Sequence, residues 1–161
     1  MIKPIRAMKD QMVEITCENR NVKRPIDLKE IKETAGKVLH YLGKRGFGLN
    51  IVFVSNQKIR ALNRKYLARD NATDVIAFQE EDSIVGGWKE PTFLGDIAIS
   101  SDKAKQNAVE YGLSFENEII LYVVHGILHL VGYEDKTKKG KILMKREENE
   151  IFRKIRTNTR R

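Results

Sequence analysis

Apolar residues recur along this chain at two spacings, every second residue and every third or fourth, and the switches between them mark out its elements. In residues 10–18, DQMVEITCE, Val13, Ile15 and Cys17 alternate with Met12, Glu14, Thr16 and Glu18, which predicts a strand with one wetter face. Pro25-Ile26-Asp27 leads into a helix, with Asp27 and Glu30 placed as a capping box and Leu28, Ile31, Ala35, Val38 and Leu42 forming one stripe. His40 lies off that stripe and reads as a surface residue. Gly46 to Gly48 ends the helix, and Leu49 to Val54 has the β-branched, apolar character of a buried strand. Ser55 or Asn56 caps a second helix in which Ile59, Leu62 and Tyr66 share a face, leaving Arg60, Arg64 and Lys65 for solvent or a ligand.

Asp70-Asn71 makes a turn, and Thr73 to Phe78 returns as a strand. Gln79 to Thr92 is acidic and glycine-rich, with Gly86-Gly87 between Ile84-Val85 and Trp88, the pattern of a hairpin-like flap. Trp88 is expected to anchor that loop, the alternative being a platform on which a base stacks. Phe93 to Ile99 is a further strand, interrupted by Gly95-Asp96. The glycine permits a close backbone approach, and Asp96 either borders a cleft or makes a structural hydrogen bond. A helix capped by Ser100 or Ser101 runs to Tyr111 and ends at Gly112. The last helix, within Thr137 to Ile155, is expected to dock by Ile142, Leu143, Ile151, Phe152 and Ile155, leaving 156–161 as a loose basic tail.

The stretch that organises the rest is SFENEIILYVVHGILHLVGYED, residues 114 to 135. Ser114 caps it, Glu116 and Glu118 complement the positive end of the helix dipole, and Ile119 to Val131 is apolar on all sides, as in a helix buried all round. His125 and His129 interrupt that run at i,i+4, which puts both imidazoles on one face. Gly132 ends the helix, and the following turn brings Asp135 back towards the same face. The pair alone is also compatible with two core histidines satisfied by carbonyls, but His-x3-His-x5-Asp is a zinc constellation with one tetrahedral position left open, as in catalytic sites.

HGILHLVGYED resembles the HGxLHLxGYDH signature of the YbeY family of bacterial ribosomal RNA maturation factors, zinc-dependent single-strand endoribonucleases. LNRKYLARDNATDVIAF at 62–78 and LGDIAIS at 94–100 resemble the same family in the same order. Two positions depart from it: the family's third histidine falls at Asp135, and its arginine after the motif tyrosine falls at Leu67, following Tyr66. The resemblance implies one YbeY-like metal-dependent domain over 1–161, an α+β, zincin-like fold in which a small four-stranded mixed sheet packs around a central metal-carrying helix. It implies one zinc per chain, with His125, His129 and Asp135 as metal-holding and catalytic residues. Phosphates are expected to meet the basic surface of Arg64, Arg69, Lys136, Lys138 and Lys139. The implied substrate is single-stranded ribosomal RNA, notably the small-subunit 3′ end, with ribosomal particles as partners and a part in ribosome quality control.

Composition agrees with a polyanionic partner: among 161 residues, 30 Lys and Arg against 22 Asp and Glu give a net charge of +8. KTKKGK after the histidine motif and RKIRTNTRR near the end concentrate it, although such runs also serve as solvated faces or tails. A lone cysteine, Cys17, suits a reducing compartment and the role of a small buried hydrophobe. No stretch reads as a signal peptide or is long enough to cross a bilayer, so a cytoplasmic protein with no membrane partner is expected. Zinc with an open position lowers the pKa of bound water to about 7, which makes hydrolysis the natural reaction class. A zinc peptidase needs a glutamate after the first histidine, where this chain has Gly126, and Glu134 reads equally as a base acting through water or as a solvated turn residue. Leu67 and Asp135 keep open a second class, an RNA- or ribosome-binding assembly factor with little or no cleavage.

Overall fold

The computed structural model describes residues 14–80, 84–85, 88–89 and 93–159. In chain order its elements are β1 (Ile15–Asn19), α1 (Leu28–Tyr41), β2 (Gly48–Val54), α2 (Asn56–Leu67), β3 (Val75–Gln79), β4 (Ile84–Val85), β5 (Trp88–Lys89) and β6 (Phe93–Ser100), then α3 (Ser101–Tyr111), α4 (Phe115–Leu130) and α5 (Lys138–Thr159). The main sheet is mixed, as expected, with order β1-β2-β6-β3: β2 pairs parallel with both β1 and β6, and β3 is antiparallel to β6. β4 and β5 form the expected short antiparallel hairpin. The side chain of Trp88 and its expected anchoring lie outside the described residues, as do 10–13 of the first predicted strand.

Strand alternation divides the apolar side chains between two faces. Leu49, Ile51 and Phe53 of β2, with Ile97 and Ile99 of β6, pack against α1, α4 and α5 in the main core. Val54 of β2 and Ile76 of β3 turn the other way and are covered by Ile59 of α2. Cys17 is half-buried at the edge of the main core, and burial pushes its thiol up to about 11, which leaves it unreactive.

At the centre lies α4. The Asn117 N–H donates to Ser114 Oγ at 3.1 Å to open it, and the helix then buries Ile119, Val123, Ile127 and their neighbours on every side. It ends with Gly132 donating to the His129 carbonyl and Tyr133 to that of Leu128, with Gly132 at φ +106°. This is the paired closure that a left-handed residue allows. Gly126 lets the helix settle onto the sheet, since a Cβ there would sit 2.7 Å from Ile97 Cγ2. At Gly95 a Cβ would come within 2.0 Å of the Phe78 carbonyl oxygen, the close approach that its sequence context predicts. Asp96 accepts from Asn50 Nδ2 at 2.9 Å, the structural one of its two expected roles.

The C-terminal helix docks by Ile151, Phe152 and Ile155 as expected but differs in its first turns. Ile142 and Leu143 are 53% and 45% exposed, and Met144, Ile151 and Ile155 take the buried face. The physical reason is an acid in the stripe: Met144, Glu148, Ile151 and Ile155 follow the helical period, but Glu148 disguises it. The helix also carries on through 156–159, where a loose tail is expected from sequence, and residues 160–161 lie outside the described residues.

Asp102 ties the upper ends of the strands together. It accepts from the Asn56 backbone N–H at 3.0 Å, from Asn21 Nδ2 at 3.0 Å and from Arg24 Nε at 3.3 Å. Burial alone would raise its pKa, but these donors hold it below the usual carboxylate range. A carboxyl with a depressed pKa stabilises the fold above its unfolded value of about 3.9, and that contribution is lost as pH falls through the folded value. Asp102→Asn should therefore lower stability by about 1–3 kcal/mol at pH 7, with the gap to the wild type closing in denaturant titrations taken below pH 4. Gly126→Ala should cost about 1–2 kcal/mol, the clash with Ile97 outweighing the better helix propensity. Calorimetry would show this as a melting temperature lower by a few degrees.

Candidate metal centre in a cationic cleft

The helix geometry of α4 sets His125 and His129 one turn apart, with ring centroids 4.6 Å apart and planes at 80°. Each ring is fixed through Nδ1. His125 Nδ1 is hydrogen-bonded to Glu148 Oε1 of α5, and His129 Nδ1 lies 3.1 Å from the Tyr133 carbonyl oxygen. A carboxylate and a carbonyl can only accept, so both Nδ1 atoms carry protons and both Nε2 lone pairs face inward. The two Nε2 atoms are 3.0 Å apart, and Asp135 Oδ2 lies 3.7 Å from one and 3.6 Å from the other.

Three acceptors converging without a donor repel one another, so the arrangement calls for a cation at their centre, either a proton or a metal ion. Tetrahedral zinc with bonds of about 2.0–2.2 Å sets its donors roughly 3.3–3.6 Å apart, and the triangle here, with sides of 3.0, 3.6 and 3.7 Å, comes within a few tenths of an ångström of one face of such a tetrahedron. Among the described residues this is the one group of three such side chains close enough to hold a metal. The two rings also differ in their electrostatics. Burial pushes His125 down, but Glu148, with Asp74 and Asp135 further off, reverses that and raises its pKa. His129 is held below the ordinary imidazole range by burial and by the neighbouring His125.

The triad lines a cleft of about 480 Å³ together with Leu67, Arg69, Gln79, Glu134 and Lys136. Of the basic residues singled out from sequence, Arg69 and Lys136 line it. Arg64 does not: its Nε pairs with Asp70 at 3.3 Å, a carboxylate it shares with Arg60 at 2.9 Å. Lys138 and Lys139 are exposed on the first turn of α5, beyond the lining residues. Arg69 reaches the cleft because α2 ends at Ala68 in the left-handed conformation, φ 54°, which turns the chain back at once. His40, at the exposed end of α1, is not part of the cluster. A peptidase base after the first histidine has no room, because Gly126 faces Ile97 and Val75 of the sheet.

Two residues of the site escape sequence reasoning. Gln79 Nε2 donates to the His129 carbonyl at 2.8 Å, fixing the end of α4. Glu148 is 8% exposed. Its sequence signal was its place on the helical period of Met144, Ile151 and Ile155.

Comparison with known proteins supports the relationship that the motifs imply. The family described as Endoribonuclease YbeY matches residues 15–156. A protein named Endoribonuclease YbeY from Geobacillus sp. (strain WCH70) is 36% identical over 148 residues, covering 89% of this chain and 90% of its own length. One of the same name from Geobacter metallireducens is 34% identical over 143 residues, covering 87% and 94%. The solution structure of TM1509 from Thermotoga maritima matches with a TM-score of 0.55 at 30% identity, over 91% of this chain and 93% of that one. With the family matched from β1 to the last turns of α5, and the histidine pair and its acid gathered in one cleft, the chain belongs to the YbeY endoribonuclease family.

Proposed function

We propose that this protein is a zinc-dependent endoribonuclease, specific for single strands, that acts in ribosomal RNA maturation at the small-subunit 3′ end and in ribosome quality control, in the cytoplasm and on ribosomal particles. The observation that carries this reading is the inward-facing triangle of His125 Nε2, His129 Nε2 and Asp135 Oδ2 in a cleft shared with Arg69 and Lys136, in a chain of this family. That no described helix is long and apolar enough to cross a membrane agrees with it.

His125, His129 and Asp135 would hold one zinc ion per chain. Bound there, the ion supplies a Lewis acid that polarises a phosphoryl oxygen and lowers the pKa of water. Everything else falls to the chain itself. Glu148 and the Tyr133 carbonyl keep both histidines in the tautomer that presents Nε2 to the cleft. Arg69 and Lys136 receive phosphate oxygens beside that point, and charge developing on the phosphate is offset there. The start of α5 adds to this field. Its first turn has no acid and carries Lys138, Lys139 and Lys141 against the positive end of its own dipole. Such an arrangement weakens the helix and strengthens attraction for anions.

Leu67 favours a second reading. It is 49% exposed and lines the cleft at the position where the family resemblance places an arginine, so binding with weak cleavage is the competing function. Arg69, two residues on and lining the same cleft, answers it with the charge that Leu67 lacks.

Protein purified without chelator should carry about one zinc per chain by elemental analysis and cleave single-stranded RNA. Asp135→Ala should lose most of the metal, and His129→Ala should abolish cleavage. RNA binding without cleavage by zinc-loaded wild type would decide for the second reading. The double substitution Lys138→Glu and Lys139→Glu should act in opposite directions on two measurements. Thermal stability should rise, by about 0.3–1 kcal/mol for each acid placed at the helix start. Affinity for single-stranded RNA should fall, and the slope of log K against log salt should flatten by about 0.7 for each phosphate that is no longer neutralised.

A further inference from the structure

We propose that Glu148 is the positioning residue of the metal centre, and that through it the docking of α5 and the occupancy of the metal are coupled. This rests on the reading of His125, His129 and Asp135 as metal ligands. Glu148 occupies the apolar stripe of α5 between Met144 and Ile151, both buried, where packing alone would select an aliphatic side chain. A carboxylate in such a place is costly unless it is paired. One oxygen of Glu148 accepts from His125 Nδ1, and the other lies 3.9 Å from Lys145 Nζ, less than one turn earlier, an ion-pair distance rather than a hydrogen bond.

The two histidines are therefore supported unequally. His129 leans on the neutral carbonyl of Tyr133, and His125 on an anion. A carboxylate behind an imidazole fixes the ring, sets the tautomer and makes Nε2 a better donor to a metal. Helix α5 also holds the turn that carries Asp135. The Gly140 N–H donates to Thr137 Oγ at 2.9 Å to cap the helix two residues after Asp135. Gly140 itself sits so close to the preceding turn that a Cβ would lie 2.4 Å from the Glu134 carbonyl oxygen. A helix that contributes no ligand thus fixes one histidine and the turn bearing the acid. By linkage, a metal that needs these positions stabilises the docked helix, and undocking weakens the metal.

The test uses the full chain as wild type, Glu148→Gln and Glu148→Ala. Gln keeps the shape and an acceptor oxygen for Nδ1–H but removes the charge. Zinc affinity is measured by competition with a chromophoric chelator, the cobalt-substituted protein by its visible absorption, and α5 by amide hydrogen exchange with and without zinc. Glu148→Gln should bind zinc about 10–100-fold more weakly with an altered cobalt spectrum. Zinc should slow exchange across 141–156 in the wild type and do so much less in Glu148→Ala. If both variants match the wild type in affinity and cobalt spectrum, or if zinc leaves exchange in α5 unchanged, the proposal is overturned. A wild type that binds no metal would overturn the metal reading itself, a result distinct from either of these. Should Glu148→Ala fail to fold, affinity and spectrum of Glu148→Gln decide.

Discussion

Two imidazoles share a focus only when the helix that carries them cannot roll, and the structure turns on that constraint. α4 is held from all sides: by β3 and β6 below, by α1, α3 and α5 around it, and by the contact of Gly126 with Ile97 in the turn between the histidines. A roll about the axis would drive backbone into the sheet. Burial that would be ordinary for a core helix is here what aims His125 and His129 at one point. The closure at Gly132 then returns the chain within a few residues, so that Asp135 can meet them.

Rigidity alone does not explain the charges. Both Nδ1 protons are committed to acceptors, and what remains is two lone pairs and a carboxylate oxygen facing one another. Around that focus lie Asp74 and Glu148, a concentration of acid that the overall charge of +8 does not suggest. The positive charge is placed further out, on Arg69, Lys136 and the first turn of α5. On the proposed reading, an inner group of acids would attract a cation and an outer rim of bases an anion, which suits a metal beside a phosphate.

Much of this was legible in the chain. The order of strands and helices, the caps at Asp27 and Ser114, one of the two caps offered at 55–56 and at 100–101, and the mixed sheet implied by resemblance match the structure. The triad named from the histidine spacing and the turn lies together. What could not be read is whatever depends on a contact distant in sequence. Glu148 is 23 residues from His125 and Gln79 is 50 from His129, so neither partnership has a local pattern. The docking face of α5 is legible at Ile151, Phe152 and Ile155 but not in its first turns, for the same reason. A buried acid looks like a surface residue until its partner is known, and Ile142 and Leu143 were the more obvious anchors. Arg64 and Arg69 look equivalent in sequence, and only the ion pair with Asp70 and the left-handed turn at Ala68 separate them.

That turn follows directly on Leu67, one of the two positions where the resemblance implies a different residue. Ala68 holds a conformation that disfavours any residue with a Cβ, by roughly 1–2 kcal/mol. Such strain persists only where the surroundings enforce it. Here the Arg69 N–H donates to the Asn63 carbonyl at 3.3 Å, and Asn63, buried in α2, donates through Nδ2 to the Asn71 carbonyl at 3.0 Å. The two bonds fold residues 69–71 against the helix end and bring Arg69 into the lining of the cleft. A side chain on the last turn of α2, where Leu67 stands, and one just beyond the left-handed residue, where Arg69 stands, border the same space. The left-handed turn is thus what sets the charge of Arg69 in the same lining as the uncharged Leu67.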